Sequence, residues 1–132
     1  MHTLFAYGTL QLPEVMRAVT GREFAAHPAR LEHYSRHRLR GKSFPGIRPN
    51  ADAFVDGLIF LEIDAQTLRK LDAFEDTFYR REAVSVVRAN GIEWAAQAYI
   101  VREESYGLLL PEEWCLEDFR RRHLQRFLSS HA

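Results

Sequence analysis

The chain has very few of the residues and segments that mark several protein classes. Its 132 residues include one cysteine, Cys115, so neither an intrachain disulfide nor a Cys-x-x-Cys motif can form. No apolar run approaches the roughly 20 residues that span a bilayer, and the N-terminus lacks the basic and apolar segments of a signal peptide. We therefore expect a cytoplasmic protein without a membrane partner. Cys115 follows Trp114 in a helical pattern, which predicts a small buried thiol.

An excess of charge of either sign is also missing. Eighteen basic and eighteen acidic residues give a formal net charge of zero at pH 7. Because nucleic-acid-binding proteins normally carry a basic excess, we expect no nucleic-acid partner. The local cluster Arg120–Arg122 follows Glu117 and Asp118, which is the order that a helix dipole favours. We interpret this cluster as helix electrostatics.

Recognisable metal-ligand sets and nucleotide-binding loops are absent from the sequence. His33 and His37 lie four residues apart, but no convincing helix joins them and no acidic or cysteine ligand completes a set. There is no Walker loop, no G-x-S-x-G elbow and no G-x-G-x-x-G motif. We therefore expect neither a metal nor another cofactor. His123 falls on the apolar stripe of a C-terminal helix, where we interpret it as a core histidine.

The chain does contain enough apolar residues for one core. Hydrophobic residues make up 46% of the sequence and aromatic residues 12%. Together with the length, this predicts a single domain over residues 1–132 that folds without disulfides or metals. We expect it to be a monomer.

The N-terminal third predicts a strand, a turn and a helix. Leu4–Tyr7 is a short apolar run that ends at Gly8, as in a buried strand. Pro13 suits the first turn of a helix, and Gly21 closes the helical pattern that follows. From these residues alone, the segment around Gly8 is an ordinary tight turn into the first helix.

The middle of the chain predicts strands on both sides of a loop. The mixed segment Ala29–Leu39 fits one or two strands. Gly41–Ala53 concentrates glycine, proline and asparagine and is predicted to be a loop. Phe54–Ile63 is an apolar strand, and Gly57 within it indicates a bulge or a close approach of another backbone.

The second half predicts two helices and a hairpin. Asp64 is a typical N-cap for a helix that runs to about Phe74 or Glu75. Asn90-Gly91 joins two strand-like runs and is a strong hairpin signal. A last helix is predicted over 111–129. The whole pattern indicates an α+β fold with a mostly antiparallel sheet that curls toward a small barrel.

Glu75 is the acidic residue in the most unusual position. At about 100° per residue, Leu68, Leu71 and Glu75 lie within roughly 60° of each other on the predicted helix. A carboxyl that faces apolar surroundings has a raised pKa, and such a group can act as a general base and then a general acid. The pattern fits equally well a Glu75 that turns to solvent or pairs with Arg80 or Arg81.

A second carboxylate, Asp72, lies one turn before Glu75. Two acids at this spacing could form an acid pair of the kind that some hydrolases use. We favour a simpler interpretation, in which Asp72 accepts a hydrogen bond from backbone at a helix end.

Four motifs in order resemble one known family. They are "YGTL" at 7–10, "FPGI" at 44–47, "VDGLIFLEI" at 55–63 and "LDAFEDTFYRREAVSV" at 71–86. In order and spacing they are similar to the gamma-glutamylcyclotransferase-like family, from Leu4 to about Val101. The tail "EEWCLEDFRRRHLQRFL" is similar to the branch that includes plant avirulence-induced proteins and bacterial homologues.

The resemblance implies both a fold and a set of site residues. The fold would be a small mixed, mostly antiparallel β-barrel with flanking helices and a cavity at one end. Glu75 matches the family's catalytic glutamate, and Tyr79 would line the cavity. The substrate-binding loop would consist of Tyr7, Gly8, Thr9 and Leu10. Many members have a glycine where this chain has Asp76, and serine where it has Thr9.

The resemblance also implies a reaction. The substrate would be a γ-glutamyl amide whose own α-amine attacks the γ-carbonyl, which releases 5-oxoproline and a free amine. Glu75 would move the protons, no cofactor would take part, and the glycine loop would hold the α-carboxylate or an oxyanion. Two alternatives remain open. One is hydrolysis or transfer of a γ-glutamyl group on a larger carrier, and the other is a non-catalytic ligand-binding or stress-response module.

Overall fold

The computed structural model describes residues 1–131, which form five β-strands and four α-helices. The strands are β1 (His2–Ala6), β2 (Ala26–Arg38), β3 (Pro45–Ile63), β4 (Tyr79–Arg88) and β5 (Glu93–Val101). The helices are α1 (Pro13–Thr20), α2 (Ala65–Phe74), α3 (Leu116–Arg122) and α4 (Leu124–His131). Two 3₁₀ turns, at Thr9–Gln11 and Glu103–Leu108, connect elements at the ends of the sheet.

The five strands close into a barrel in the order β1-β3-β2-β4-β5. β1 pairs in parallel with β5, and every other pairing is antiparallel. The predicted α+β fold, a mixed and mostly antiparallel barrel with flanking helices, is therefore confirmed. Among the helices of residues 1–131, none is both long enough and apolar enough to cross a bilayer.

Alternation along β1 divides the core into two parts. Phe5 belongs to a cluster built from strand residues together with Tyr7 of the following turn, which fills the barrel. Leu4 and Ala6 face the other way, into a cluster that includes residues of all four helices. Because successive strand side chains point to opposite faces, one short strand contributes to both parts of the core.

The predicted loop over Gly41–Ala53 is wrong for most of its length. β3 begins at Pro45 and pairs with β2 from Arg38↔Pro45 to Ala26↔Phe60. Residues 45–49 pair with β2 alone and residues 50–53 have no partner in the register, so this half of β3 is a sheet edge, and an edge tolerates the proline content that suggested a loop. β2 is one strand rather than two, with an irregularity at His33, whose φ is +68°.

Helices α1 and α2 begin and end at the predicted signals. α1 starts at Pro13 and ends before Gly21, which adopts a left-handed φ of +76°. Asp64 caps α2 and accepts a 2.7 Å hydrogen bond from the amide of Thr67. The Asn90-Gly91 hairpin is confirmed too, and Gly91 has a φ of +83°.

The single C-terminal helix predicted over 111–129 is wrong. The backbone of 110–112 instead hydrogen-bonds to Arg38, because the Leu110 amide donates to its carbonyl and its amide donates to Glu112. Helix begins only at Leu116 and breaks at His123. Cys115 therefore precedes α3 and is exposed, so the predicted buried thiol is also wrong.

Candidate active site

A cavity of about 740 Å³ opens at one end of the barrel. Its walls come from the turn after β1, the start of β3, the end of α2 and the C-terminal helices. The volume is typical of small-molecule sites, which enclose about 300–1,000 Å³. All six residues that the sequence singled out line it: Tyr7, Gly8, Thr9, Leu10, Glu75 and Tyr79.

The turn after β1 presents free amide groups to this cavity. The amides of Gly8, Thr9 and Leu10 donate to no other described residue, whereas the Gly8 and Thr9 carbonyls accept hydrogen bonds that close the following 3₁₀ turn. A Cβ at Gly8 would lie 3.0 Å from the ring of Pro45, so the turn passes close to β3. Unpaired amides that converge in one place form a binding site for an anion.

The Tyr7 side chain and backbone stabilise the turn. Its hydroxyl is buried and donates a 2.6 Å hydrogen bond to the Tyr99 carbonyl. The Tyr7 carbonyl accepts a 2.9 Å hydrogen bond from the Arg36 guanidinium. Both bonds place the peptide that enters Gly8, and burial raises the pKa of the Tyr7 phenol well above its usual value. Tyr7 also lines the cavity, and its assignment to the substrate-binding loop stays a prediction.

Glu75 lies directly after α2, where the chain leaves the helix. Its amide still donates to the Leu71 carbonyl and its φ of −73° is helical, so its side chain continues the stripe of Leu68 and Leu71. Its ψ of 143° is extended, so the chain leaves the helix directly after it, at the cavity wall. The carboxylate forms no hydrogen bond or ion pair with the described residues. Arg80 pairs with Glu82 and Arg81 with Asp72, so neither neutralises Glu75.

The surroundings of Glu75 favour its protonated form. Burial raises its pKa from 4.5 to about 8, and the nearby charges of Asp76 and Asp72 add to the effect. The residue is only partly buried, and the exposed part borders the cavity. The rise predicted from the apolar stripe is confirmed. A carboxyl with this pKa can accept a proton and return it near neutral pH.

Asp72 is part of a side-chain network instead of a helix-end hydrogen bond. It accepts a 2.7 Å hydrogen bond from the Tyr99 hydroxyl and bonds of 2.9 and 3.2 Å from Arg81, which also donates to Gln97. Burial alone would raise its pKa, but these bonds and the Arg81 charge outweigh it and lower the pKa. Asp72 thus stays ionised and is unsuited to share a proton with Glu75, which argues against the acid-pair interpretation.

Two tyrosines on neighbouring strands complete the wall. Tyr79 is buried, and its hydroxyl donates a 2.5 Å hydrogen bond to the Pro45 carbonyl at the start of β3. Tyr99 also lines the cavity and connects the glycine turn to Asp72 through its carbonyl and hydroxyl.

Tyr106 does not line the cavity and packs under the Arg48 guanidinium. The predicted core histidine, His123, is partly buried against Phe119 and lines the cavity.

Sequence reasoning missed the residues that reach the site from distant segments. Arg36 supports the turn across 29 positions of sequence, and Pro45 meets both Gly8 and Tyr79. Arg38, the last residue of β2, and Lys42, in the turn that follows, also line the cavity. No local sequence pattern predicts that these residues reach the site, because an arginine on a polar strand and a lysine in a loop are common on any protein surface.

Comparison with known proteins agrees with this geometry. The family described as "Gamma-glutamyl cyclotransferase, AIG2-like" matches residues 4–116. AIG2-like protein A of Arabidopsis thaliana is 29% identical over 135 residues, which cover 98% of this chain and 79% of that protein. A solution structure of an Arabidopsis thaliana protein, 29% identical, superposes with a TM-score of 0.77 over 98% of this chain and 87% of its own.

A more distant structure has the same fold. It is described as a gamma-glutamyl cyclotransferase, is 16% identical and has a TM-score of 0.66 over 98% of this chain and 85% of its own. The family match extends from β1 to the first residue of α3 and includes the glycine turn and Glu75. The chain belongs to the Gamma-glutamyl cyclotransferase, AIG2-like family.

Proposed function

We propose that the chain is a cofactor-free γ-glutamylcyclotransferase. Its substrate is a γ-glutamyl amide, and its products are 5-oxoproline and the free amine. The α-nitrogen of the glutamyl group forms a new bond to its own γ-carbonyl carbon, and the bond from that carbon to the leaving nitrogen breaks. No water is consumed, because the nucleophile is already part of the substrate.

Glu75 is the proposed acid/base. The attacking amine enters as an ammonium with a pKa of about 8, so it must lose a proton before it attacks. A carboxylate whose pKa is also about 8 can take that proton and then deliver it to the leaving nitrogen. The ring nitrogen loses a second proton once the new C–N bond has formed, and this proton also ends on the released amine, which leaves as an ammonium. The proton balance then closes within one turnover, and Glu75 returns to its ionised form.

The glycine turn is the proposed binding element. Its free amides at Gly8, Thr9 and Leu10 suit either the substrate's α-carboxylate or the oxyanion that forms on the γ-carbonyl. Because the two reacting groups belong to one molecule, the main task of the cavity is to hold a bent conformer of the glutamyl chain.

One observation carries the proposal: an unpaired glutamate with a pKa of about 8 lines the same cavity as an amide-rich turn. A non-catalytic binding module would have no need for such a group and would fit a fully solvated Glu75 with an ordinary pKa. The surroundings of Glu75 therefore favour catalysis over simple ligand binding.

The test measures 5-oxoproline release by mass spectrometry from a panel of γ-glutamyl-amino acids and γ-glutamylamines. Glu75→Gln keeps the shape of the side chain but removes the base, so kcat should fall by about 10²–10⁴-fold. Glu104→Gln is the matched control, because Glu104 is exposed, does not line the cavity and should leave the rate unchanged.

Each other outcome would count against part of the proposal. Equal rates for wild type and Glu75→Gln would show that Glu75 is not the base. Free glutamate instead of 5-oxoproline would identify a hydrolase, with water in place of the α-amine. Binding of panel members without any product would favour the ligand-binding module.

A further inference from the structure

Two cations line the part of the cavity that adjoins a second, smaller cleft. Arg38, at the end of β2, and Lys42, in the turn that follows, line both the main cavity and an adjoining cleft of about 160 Å³. That cleft does not include Glu75 or the glycine turn. Residues shared by the two spaces lie at their junction, so Arg38 and Lys42 mark the side of the cavity that leads away from the reacting centre.

Neither cation has an anionic partner within the described part of the chain. Most acids near them are already engaged, since Glu113 pairs with Arg36 and Asp118 pairs with Arg121. Arg38 meets Glu112 only through a backbone hydrogen bond of 2.9 Å. Arg126 of α4 also lines the main cavity without an ion pair to a described residue, but it lies outside the adjoining cleft. Cations that line a cavity without a counter-ion produce a local positive potential there, and of these three only Arg38 and Lys42 lie at the junction.

The backbone under both cations is well held. The Arg38 amide and carbonyl both bond to the segment 110–112. The turn that carries Lys42 is closed by its own amide, which donates to Leu39, and by the Trp114 indole, which donates a 2.8 Å hydrogen bond to the Ser43 carbonyl. The Lys42 ammonium lies 6.0 Å from the centre of the Phe44 ring. The two charges therefore start from fixed points of the fold.

The cavity is also larger than the reacting group requires. A glutamyl group fills only part of about 740 Å³, so the leaving amine must occupy the rest. Once the glutamyl end lies between Glu75 and the glycine turn, the leaving amine extends toward the junction. A carboxylate on that amine would meet Arg38 and Lys42, whereas a second cation there would be repelled.

We propose that Arg38 and Lys42 form a subsite for a carboxylate carried by the leaving amine, so that the preferred substrates are γ-glutamyl α-amino acids and not γ-glutamyl amines without a carboxylate. This inference rests on the proposed function and adds its specificity. The acids of the adjoining cleft, Glu112, Glu113 and Asp118, place the limit of the subsite at the junction.

The test compares two substrates that differ by one carboxylate, γ-glutamyl-L-alanine and γ-glutamylethylamide. For wild type, kcat/KM should be about tenfold higher for the alanine compound, as for a charge-assisted hydrogen bond at a partly solvated site. In Arg38→Gln/Lys42→Gln this preference should fall to about one, mainly through a higher KM for the alanine compound.

Arg40→Gln is the matched control. Arg40 lies between the two cations in sequence and is exposed, but it lines neither cavity. The Arg40→Gln substitution removes a positive charge from the same turn but not from the cavity, so the wild-type preference for the alanine compound should persist. Circular dichroism and thermal melting of all variants establish that each one is folded.

Two kinetic results would overturn the subsite while the cyclisation stands. One is the absence of a preference in wild type. The other is an equal loss for both substrates in the double variant, which would assign the cations to the α-carboxylate that both substrates share.

Calorimetric titration of both compounds separates the subsite from the reaction. If neither compound yields 5-oxoproline, the proposed function fails. Tighter binding of the alanine compound by wild type, lost in the double variant, would then still support the subsite. Equal binding of the two compounds, or binding of neither, would overturn it.

Discussion

At the residue scale, the unusual feature of Glu75 is that no cation among residues 1–131 forms an ion pair with it. Burial is the largest cause of its raised pKa, and Asp76 is the larger of the two carboxylate contributions. Arg81 lies close by in sequence but is held by Asp72 through two hydrogen bonds. The network around Asp72 therefore keeps a guanidinium from neutralising Glu75.

Asp76→Asn should move the pH dependence of the proposed reaction. The base must be ionised, so kcat/KM rises as the pH rises through the Glu75 pKa of about 8. Removing the Asp76 charge lowers that pKa, and the acidic limb should shift down by about half a pH unit. Asp52→Asn, an exposed acid that does not line the cavity, should leave the limb unchanged. An unmoved or upward-shifted limb in Asp76→Asn would contradict this assignment.

At the scale of elements, the close packing of β3 against β1 fixes the position of the glycine turn that follows β1. β1 pairs with β3 from His2↔Ile63 to Ala6↔Leu58, and the next residue along the chain begins the glycine turn. A Cβ at Gly57 would lie 2.4 Å from the Ala6 carbonyl oxygen. That oxygen belongs to the backbone, so it cannot rotate away as a side chain would.

Gly57→Ala should therefore destabilise the barrel by about 2–4 kcal/mol, since β1 has to move away from β3. The free energy of unfolding from urea titration measures this loss. Gly91→Ala is the control: its φ is +83° but nothing lies within 4 Å of the added Cβ, so only conformational strain of about 1 kcal/mol is expected. Similar losses in the two variants would show that the close approach is unimportant.

At the scale of the whole molecule, charge balance and an uneven distribution of charge coexist. The net charge is zero at pH 7, yet Arg38 and Lys42 are unpaired at one end of the cavity. A local positive potential at the cavity therefore does not need an excess of positive charge over the whole molecule. Much of the remaining charge is engaged in exposed pairs such as Arg30–Asp56, which stabilise the fold little.

A neutral molecule should be least soluble near its isoelectric point. We expect the solubility in polyethylene glycol to pass through a minimum near pH 7 and to rise several-fold by pH 9, because net charge keeps molecules apart. Arg69→Glu, an exposed change on α2, should move the minimum to lower pH. A profile without a minimum, or one that the variant does not move, would contradict this expectation.

The sequence by itself determined the features whose signals are local. Pro13 and Gly21 bound α1, Asp64 caps α2, and Asn90-Gly91 turns the hairpin, because each acts through its own backbone or through a neighbour within a few residues. The stripe of Leu68 and Leu71 likewise indicated where α2 would face the core. The mixed barrel was implied by the order of such elements together with the family resemblance.

Only the tertiary structure decided which groups meet across the chain. Pro45 starts a strand because β2 lies beside it. Asp72, in α2, remains ionised because Arg81 of β4 and Tyr99 of β5 donate hydrogen bonds to it. The segment before α3 bonds to β2 instead of coiling. Hydrogen bonds and charge contacts depend on distance in space, and closure of the barrel sets those distances between residues that no local pattern connects.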